Sequence, residues 1–213
     1  MLTRTPPTMA TYKLHYFNLR GRGEVARLIF AAAGQQFDDI RYERAEWPSH
    51  KAEMPLGQIP VLEFNGVKLP QSLAIARFLA KQFQFAGKDN LEQAKVDAVA
   101  DTVADLMAKY GPTYKEQMET KNQACIQKFL AEELPRHLTN LETLGQMYSD
   151  GGYFFVGNHL TWVDLFLYDL LETIRQHDDH ILVKYSWLKY NHEEVEKQPK
   201  IAAYLKSRTQ IPV

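Results

Sequence analysis

The chain has 213 residues, with 25 Lys and Arg against 26 Asp and Glu and a formal net charge of −1. That balance supplies no strong field to attract a nucleic acid or an anionic membrane surface, so neither is expected as a partner. No apolar run approaches the roughly 20 residues of a membrane-spanning helix, and the single cysteine, Cys125, excludes an internal disulfide and suits a reducing cytoplasm.

Residues 1–10 read as an N-terminal extension; "MLTRTPPT" has no hydrophobic core and is too short for a secretory signal. Tyr12 to Phe17 alternates as a strand, and Val25, Leu28, Ile29 and Ala32 recur at helical spacing over 24–33, with Gly34 as the stop. Phe37 to Glu43 reads as a second strand, followed by a polar stretch opened by Trp47-Pro48. "IPVLEF" and "VKL" flank Asn65-Gly66, a hairpin signal. Ser72 then precedes Ile75, Ala76, Leu79 and Phe83 and is expected to cap that helix. After "FAGKDN" the strand signals stop, and helices are expected over 90–110, 122–146, 161–175 and in a shorter set to the end. The expected architecture is an α/β domain over 11–87, ordered βαβ-ββα, and an all-helical domain over 88–213.

Gly21-Arg22-Gly23-Glu24-Val25-Ala26 fits the dinucleotide fingerprint G-x-G-x-x-A, and the acid Glu43 follows at about the usual distance. The element order argues against that use. A dinucleotide-binding sheet keeps adding parallel strands through crossover helices, whereas a hairpin makes the third and fourth strands antiparallel.

"YKLHYFNLRGRGE", "WPSHK", "GQIPVLEF", "LPQSLAIARFLA" and "LTWVDL" together resemble the sigma-class glutathione S-transferases, a class that includes the glutathione-dependent prostaglandin D synthases. The resemblance runs from about Thr11 to Pro212. It implies a thioredoxin-like first domain, a helical second domain, a cytoplasmic homodimer, glutathione as co-substrate and a hydrophobic electrophile as the second substrate. No metal is expected: the prostaglandin synthases carry a further acid in an interfacial cluster where this chain has Ala104.

Taken alone, Tyr16 at the end of the first strand reads as a core tyrosine. The resemblance implies that its phenol stabilises the glutathione thiolate, with Arg22 in support, and that Gly21 and Gly23 make the turn that brings Arg22 back to the strand end. Phe17 reads as core or as packing beside glutathione. Ile59-Pro60 reads as a strand entry; the resemblance implies a cis bond that presents the backbone of Ile59, after Gly57 and Gln58, to the cysteinyl unit. Gln71 and Ser72 open a helix whose N-terminus favours a carboxylate, and Trp47 and Lys51, four residues apart, point to one side if that segment is a helical turn; the resemblance implies that the first pair holds the γ-glutamyl carboxylate and the second the glycyl end.

Asp97, Asp101 and Asp105 form an i, i+4, i+8 stripe that reads as a solvated face. The resemblance implies a dimer-facing helix on which Asp105 reaches glutathione in the other subunit. Met107, Tyr110 and Gly111, with the C-terminal tail, are expected to wall the electrophile pocket. Pro112 stands where the prostaglandin synthases carry a bulky tryptophan. A prostaglandin isomerase and a crystallin-like structural protein are the alternatives. Thr161-Trp162-Val163-Asp164 resembles a capping box with a structural role. Cys125 is expected to pack, and His177-Asp178-Asp179-His180 reads as a polar loop.

Overall fold

The computed structural model describes residues 10–208. Residues 1–9 of the expected extension, and the C-terminal tail beyond residue 208, lie outside the described residues. Among the described residues, the chain divides by contacts into two compact units, 10–79 with Arg208, and 80–207.

The first unit contains β1 (Tyr12–Phe17), α1 (Glu24–Ala33), β2 (Asp38–Tyr42), the short α2 (Trp47–His50), β3 (Val61–Phe64), β4 (Val67–Pro70) and the start of α3 (Ser72–Gln82). The strand order is β2-β1-β3-β4. β1 and β2 run parallel, and β3 runs antiparallel to both β1 and β4; the antiparallel β3–β4 pair is the one expected from the hairpin. Asn65 and Gly66 take φ of 48° and 83°, the paired positive values of a two-residue hairpin turn. The turn also clasps the start of the sheet: Thr11 N donates to Asn65 Oδ1 at 3.0 Å, and Asn65 N to the Thr11 carbonyl at 3.1 Å.

Two sets of side chains leave β1 because successive residues point to opposite faces. Tyr12, Leu14 and Tyr16 are buried on one face. On the other, Phe17 packs with Tyr42, Met54 and Val61 in a separate apolar cluster joined by Ile40, Trp47 and Ile59. α1 ends at Gly34, whose φ of 72° and backbone bonds to the Phe30 and Ala31 carbonyls close the helix as expected.

The second unit carries α4 (Asn90–Thr120), α5 (Ala124–Lys128), α6 (Leu134–Tyr148), α7 (Trp162–Ile174), α8 (Ser186–Lys197) and α9 (Pro199–Ser207). α4 runs past the expected end at 110 and through Pro112. A proline there removes the helical donor to the Ala108 carbonyl; the next carbonyl, of Lys109, accepts from Thr113 Oγ1 at 3.0 Å. Tyr110 and Tyr114 stack at 5.7 Å on either side of it. The single helix expected over 122–146 is α5 and α6 joined by a π-helical turn, Phe129–Glu133.

The capping box at α7 is present. Asp164 accepts from Thr161 N, Thr161 Oγ1, Phe155 N and Asn191 Nδ2 at 2.7–2.9 Å. Asp164 thus ties α7 to the preceding loop and to α8, as well as capping its own helix. No described helix is long and apolar enough to cross a membrane.

Candidate active site

The two glycines flanking Arg22 make room for Tyr16. A Cβ on Gly23 would lie 2.5 Å from Tyr16 Cδ1, and one on Gly21 would lie 2.8 Å from the Tyr16 oxygen. Gly21 also has φ of +39°, a value that favours glycine. Their absence of side chains lets the turn close on the ring. What the turn delivers is backbone: Arg22 N donates to Tyr16 Oη at 2.9 Å, while the Arg22 side chain is exposed. This bond uses a lone pair of the phenol, not its proton.

Beneath the turn lies a residue that sequence reasoning passed over. Arg27 of α1 is buried, at 1% exposure. Its Nη1 donates to the Leu19 carbonyl at 2.8 Å and its Nη2 to the Phe17 carbonyl at 3.4 Å. Its Nε reaches both oxygens of Asp39 at 3.1–3.2 Å, and Glu24 Oε2 lies 3.3 Å from Nη1. The guanidinium carbon sits 5.8 Å from the Tyr16 ring centroid. One buried cation therefore fixes the chain just after Tyr16 and places positive charge beside its ring. The legible signal was a Glu–Arg pair, i to i+3, on a helix of otherwise apolar residues.

Arg22, Gln58, Ile59, Pro60, Gln71 and Ser72 line one small cleft together with Leu56 and Pro70. Six expected residues from three separate stretches thus converge. The Ile59-Pro60 bond is cis. Leu56 was not anticipated; its signal is a large apolar side chain, 56% exposed, in a polar segment.

The helix start differs from expectation. Ile75 N donates to the Gln71 carbonyl at 2.9 Å, so Gln71 takes the cap position and Ser72 is the first helical residue. Gln71 has φ of 78°. A non-glycine residue held in this region costs about 1–3 kcal/mol, and such strain clusters at functional sites.

Trp47 and Lys51 do share a helical turn, since Lys51 N bonds to the Trp47 carbonyl. Trp47 meets Phe17 edge-on at 5.6 Å and Tyr42 at 5.9 Å. The Lys51 stem runs over Gly57, where a Cβ would lie 3.3 Å from Lys51 Cε. Below this aromatic group, buried His15 pairs its Nδ1 with Tyr42 Oη at 2.8 Å. Burial pushes the His15 imidazole below its ordinary range; Glu63 opposes that shift, while Lys68 and Lys13 add to it.

In the second unit, Asp97, Asp101 and Asp105 are all exposed on α4. The expected pocket wall splits. Met107 is half-buried and Gly111 faces open space. Tyr110 is buried at 5% exposure, its hydroxyl 3.0 Å from His177 Nε2 and its ring against Phe129. Tyr110 is therefore an interior residue of the helical unit, and burial raises its phenol pKa steeply. His177 is accordingly a packing partner, while His180 N caps onto Asp178 and Asp179 meets Arg175. Cys125 is half-buried, with Sγ 3.1 Å from the Asn122 carbonyl.

Two family models match the chain: the glutathione S-transferase N-terminal domain over residues 12–81, and the glutathione S-transferase C-terminal domain over 104–208. The chain belongs to the glutathione S-transferase family, whose members use glutathione as a substrate. It is 39% identical to the hematopoietic prostaglandin D synthase of Gallus gallus, covering 94% of this chain and 98% of the relative. It is 36% identical to S-crystallin 4 of Enteroctopus dofleini, at the same coverage. Among solved structures, the glutathione S-transferase from Ascaris lumbricoides superimposes with a TM-score of 0.88 at 37% identity, over 95% of this chain and 100% of that one.

Proposed function

We propose that this protein binds glutathione along the cleft formed by Gln58, Ile59, Pro60, Gln71 and Ser72, and that Tyr16 holds its sulfur as the thiolate. A free thiol with a pKa of about 8.5 is mostly protonated at neutral pH, and the thiolate is the nucleophile. Lowering that pKa by two units needs about 2.7 kcal/mol of preference for the anion. A charge-assisted hydrogen bond contributes about 1.5–3 kcal/mol. The observation that carries the reading is the Arg22 N–H donated into Tyr16 Oη at 2.9 Å. A phenol that accepts a hydrogen bond becomes a stronger donor through its own proton.

The thiolate attacks an electrophilic carbon, forming the C–S bond as the leaving group departs with the electron pair of its own bond. With a peroxide, the thiolate attacks the terminal oxygen and the O–O bond breaks, the other oxygen leaving with the bonding pair and taking a proton to become the alcohol; a second glutathione thiol then attacks the sulfenic sulfur so formed and releases water, giving the disulfide. In this reading Phe17, Trp47, Lys51 and Gly57 serve the glycyl end of the tripeptide, and Arg22 adds positive charge. The protein acts as a cytoplasmic homodimer with domains at 11–87 and 88–213. Asp105 serves the partner subunit's glutathione, and Met107 and Gly111 serve the electrophile. The relatedness to prostaglandin D synthases supports prostaglandin isomerisation as a second activity of the same thiolate.

The test is the ultraviolet absorbance of bound glutathione thiolate, titrated with pH, in wild type and Tyr16→Phe. The expected bound-thiol pKa lies well below that of free glutathione in wild type and returns toward it in the variant. Absent binding, or binding with an unshifted thiol, would overturn the enzyme reading and leave a structural, crystallin-like role.

A further inference from the structure

Among the described residues, one set of metal-ligating side chains converges in the helical unit. Glu172 on α7 and His192 and Glu196 on α8 each offer an atom, and these atoms lie within 4.8 Å of one another. His192 and Glu196 are four residues apart, so one face of α8 carries both. His192 is buried at 4% exposure, its ring 4.6 Å from that of Tyr168. Tyr168 Oη donates to Glu196 Oε1 at 3.0 Å and so holds that carboxylate in place. His192 and Glu196 also form part of the wall of a cavity of about 350 Å³ that includes Arg175, Asp179 and Lys189.

His192 Nε2 faces two incompatible neighbours. Glu172 Oε1, at 3.0 Å, can only accept and calls for a proton on Nε2. Arg175 Nη1, at 3.3 Å, can only donate and calls for a lone pair there, while it also donates to Glu172 Oε1 at 3.1 Å, so an ion must displace it from both groups. A single ring nitrogen offers one or the other. Protonation would also set an imidazolium against the guanidinium. Arg175 has another partner at hand, since its Nη2 lies 3.5 Å from Asp179 Oδ1. A metal cation on Nε2 would use its lone pair and the Glu172 carboxylate together, and Arg175 would turn to Asp179.

We propose that Glu172, His192 and Glu196 form a binding site for a divalent transition-metal ion of the Zn²⁺ type, with the Arg175 guanidinium as its built-in competitor. One imidazole and two carboxylates suit Zn²⁺ better than Mg²⁺ or Ca²⁺, which prefer all-oxygen sets. Tetrahedral ligands about 2.1 Å from a common ion stand about 3.4 Å apart, so ligand atoms within 4.8 Å of one another close on an ion with a movement of up to about 1.4 Å shared between two side chains. Three protein ligands leave a coordination position toward the cavity. The ion would cross-link α7 to α8 and stabilise the native state, because the unfolded chain does not hold the three ligands together.

The experiment uses the full chain, stripped of metal and titrated with Co²⁺ and Zn²⁺, read by calorimetry, by the visible Co²⁺ spectrum and by the unfolding temperature. One equivalent is expected to bind and to raise the unfolding temperature. Glu196→Gln, at an exposed position, and His192→Asn are each expected to weaken binding at least tenfold. Circular dichroism checks that both variants fold. Arg175→Met is expected to bind more tightly than wild type. The proposal is overturned if wild type takes up neither ion saturably, if uptake persists unchanged in Glu196→Gln and His192→Asn, or if Arg175→Met does not tighten binding.

Discussion

The backbone N–H of Arg22 is hydrogen-bonded to the phenolic oxygen of Tyr16 at 2.9 Å, and the two glycines beside Arg22 leave that bond its space. The backbone and the side chain of Arg22 therefore act separately, and substitution distinguishes them. Arg22→Ala keeps the N–H, so the bound-thiol pKa should move less than in Tyr16→Phe. Gly23→Ala sets a methyl 2.5 Å from Tyr16 Cδ1 and should displace the ring. We expect it to fold and to lose at least about tenfold in kcat/KM toward an aromatic electrophile, or about 1.4 kcal/mol of transition-state stabilisation. Steady-state kinetics beside the thiolate titration checks both. Equal effects of Arg22→Ala and Tyr16→Phe on the thiol would contradict the separation.

Arg27 and Glu24 are each only 1% exposed. Removing one member of a buried ion pair typically costs about 3–5 kcal/mol. Arg208 Nη1, 3.1 Å from Glu24 Oε1, still compensates part of the Glu24 charge, so Arg27→Met should lose about 3 kcal/mol, at the lower end of that range. Urea unfolding measures this. The double variant Glu24→Gln/Arg27→Met should recover part of the loss, because the fully buried Glu24 charge goes with its partner, Asp39 keeps Arg41, and the Arg208 charge that loses Glu24 is part-exposed.

Asp164 meets four donors in a fully buried place. Asp164→Ala strands several of them, and each buried unsatisfied group costs about 1–3 kcal/mol. We expect a loss of at least about 3 kcal/mol in urea unfolding, while Thr161→Ala loses about 1 kcal/mol, the ordinary worth of a cap. Similar losses in the two variants would mean that Asp164 is only a cap.

His15 is held neutral by burial against its Tyr42 bond. Its folded pKa is depressed, so the unfolded state binds more protons as pH falls. Stability from this group is complete above the ordinary imidazole value of 6.5 and is lost as pH drops below it toward the folded pKa. His137 and His177 are depressed in the same way. The unfolding free energy should therefore fall from pH 7 to pH 5, and His15→Gln should show a shallower slope than wild type. A parallel slope in His15→Gln would exclude His15 as a contributor.

Features carried by neighbouring residues were legible in the sequence. The α1 stop at Gly34, the Asn65-Gly66 turn and the capping box before α7 each rest on contacts within a few positions, where local sterics and short hydrogen bonds dominate. The antiparallel pairing of β3 with β4 followed, because a two-residue turn admits only an antiparallel return. The motif blocks also named most of the cleft: Arg22, Gln58, Ile59, Pro60, Gln71 and Ser72 line it together. Gly111-Pro112 misled as a helix end, since side-chain packing of Tyr110 and Tyr114 carries α4 through it. Ser72 misled as a cap, since capping residue types do not reveal that Gln71 adopts a positive φ.

What the sequence by itself determined was the order of strands and helices along the chain and a group of candidate residues that line one cleft. Only the tertiary structure decided which of those side chains meet. It turned Tyr110 inward onto His177, 67 positions away in the chain. It put Arg27 under the Tyr16 loop and drew Glu172 to His192 and Glu196. Such meetings are set by close packing between elements distant in the chain, where burial and charge act at a few ångströms and sequence spacing carries no measure of that distance.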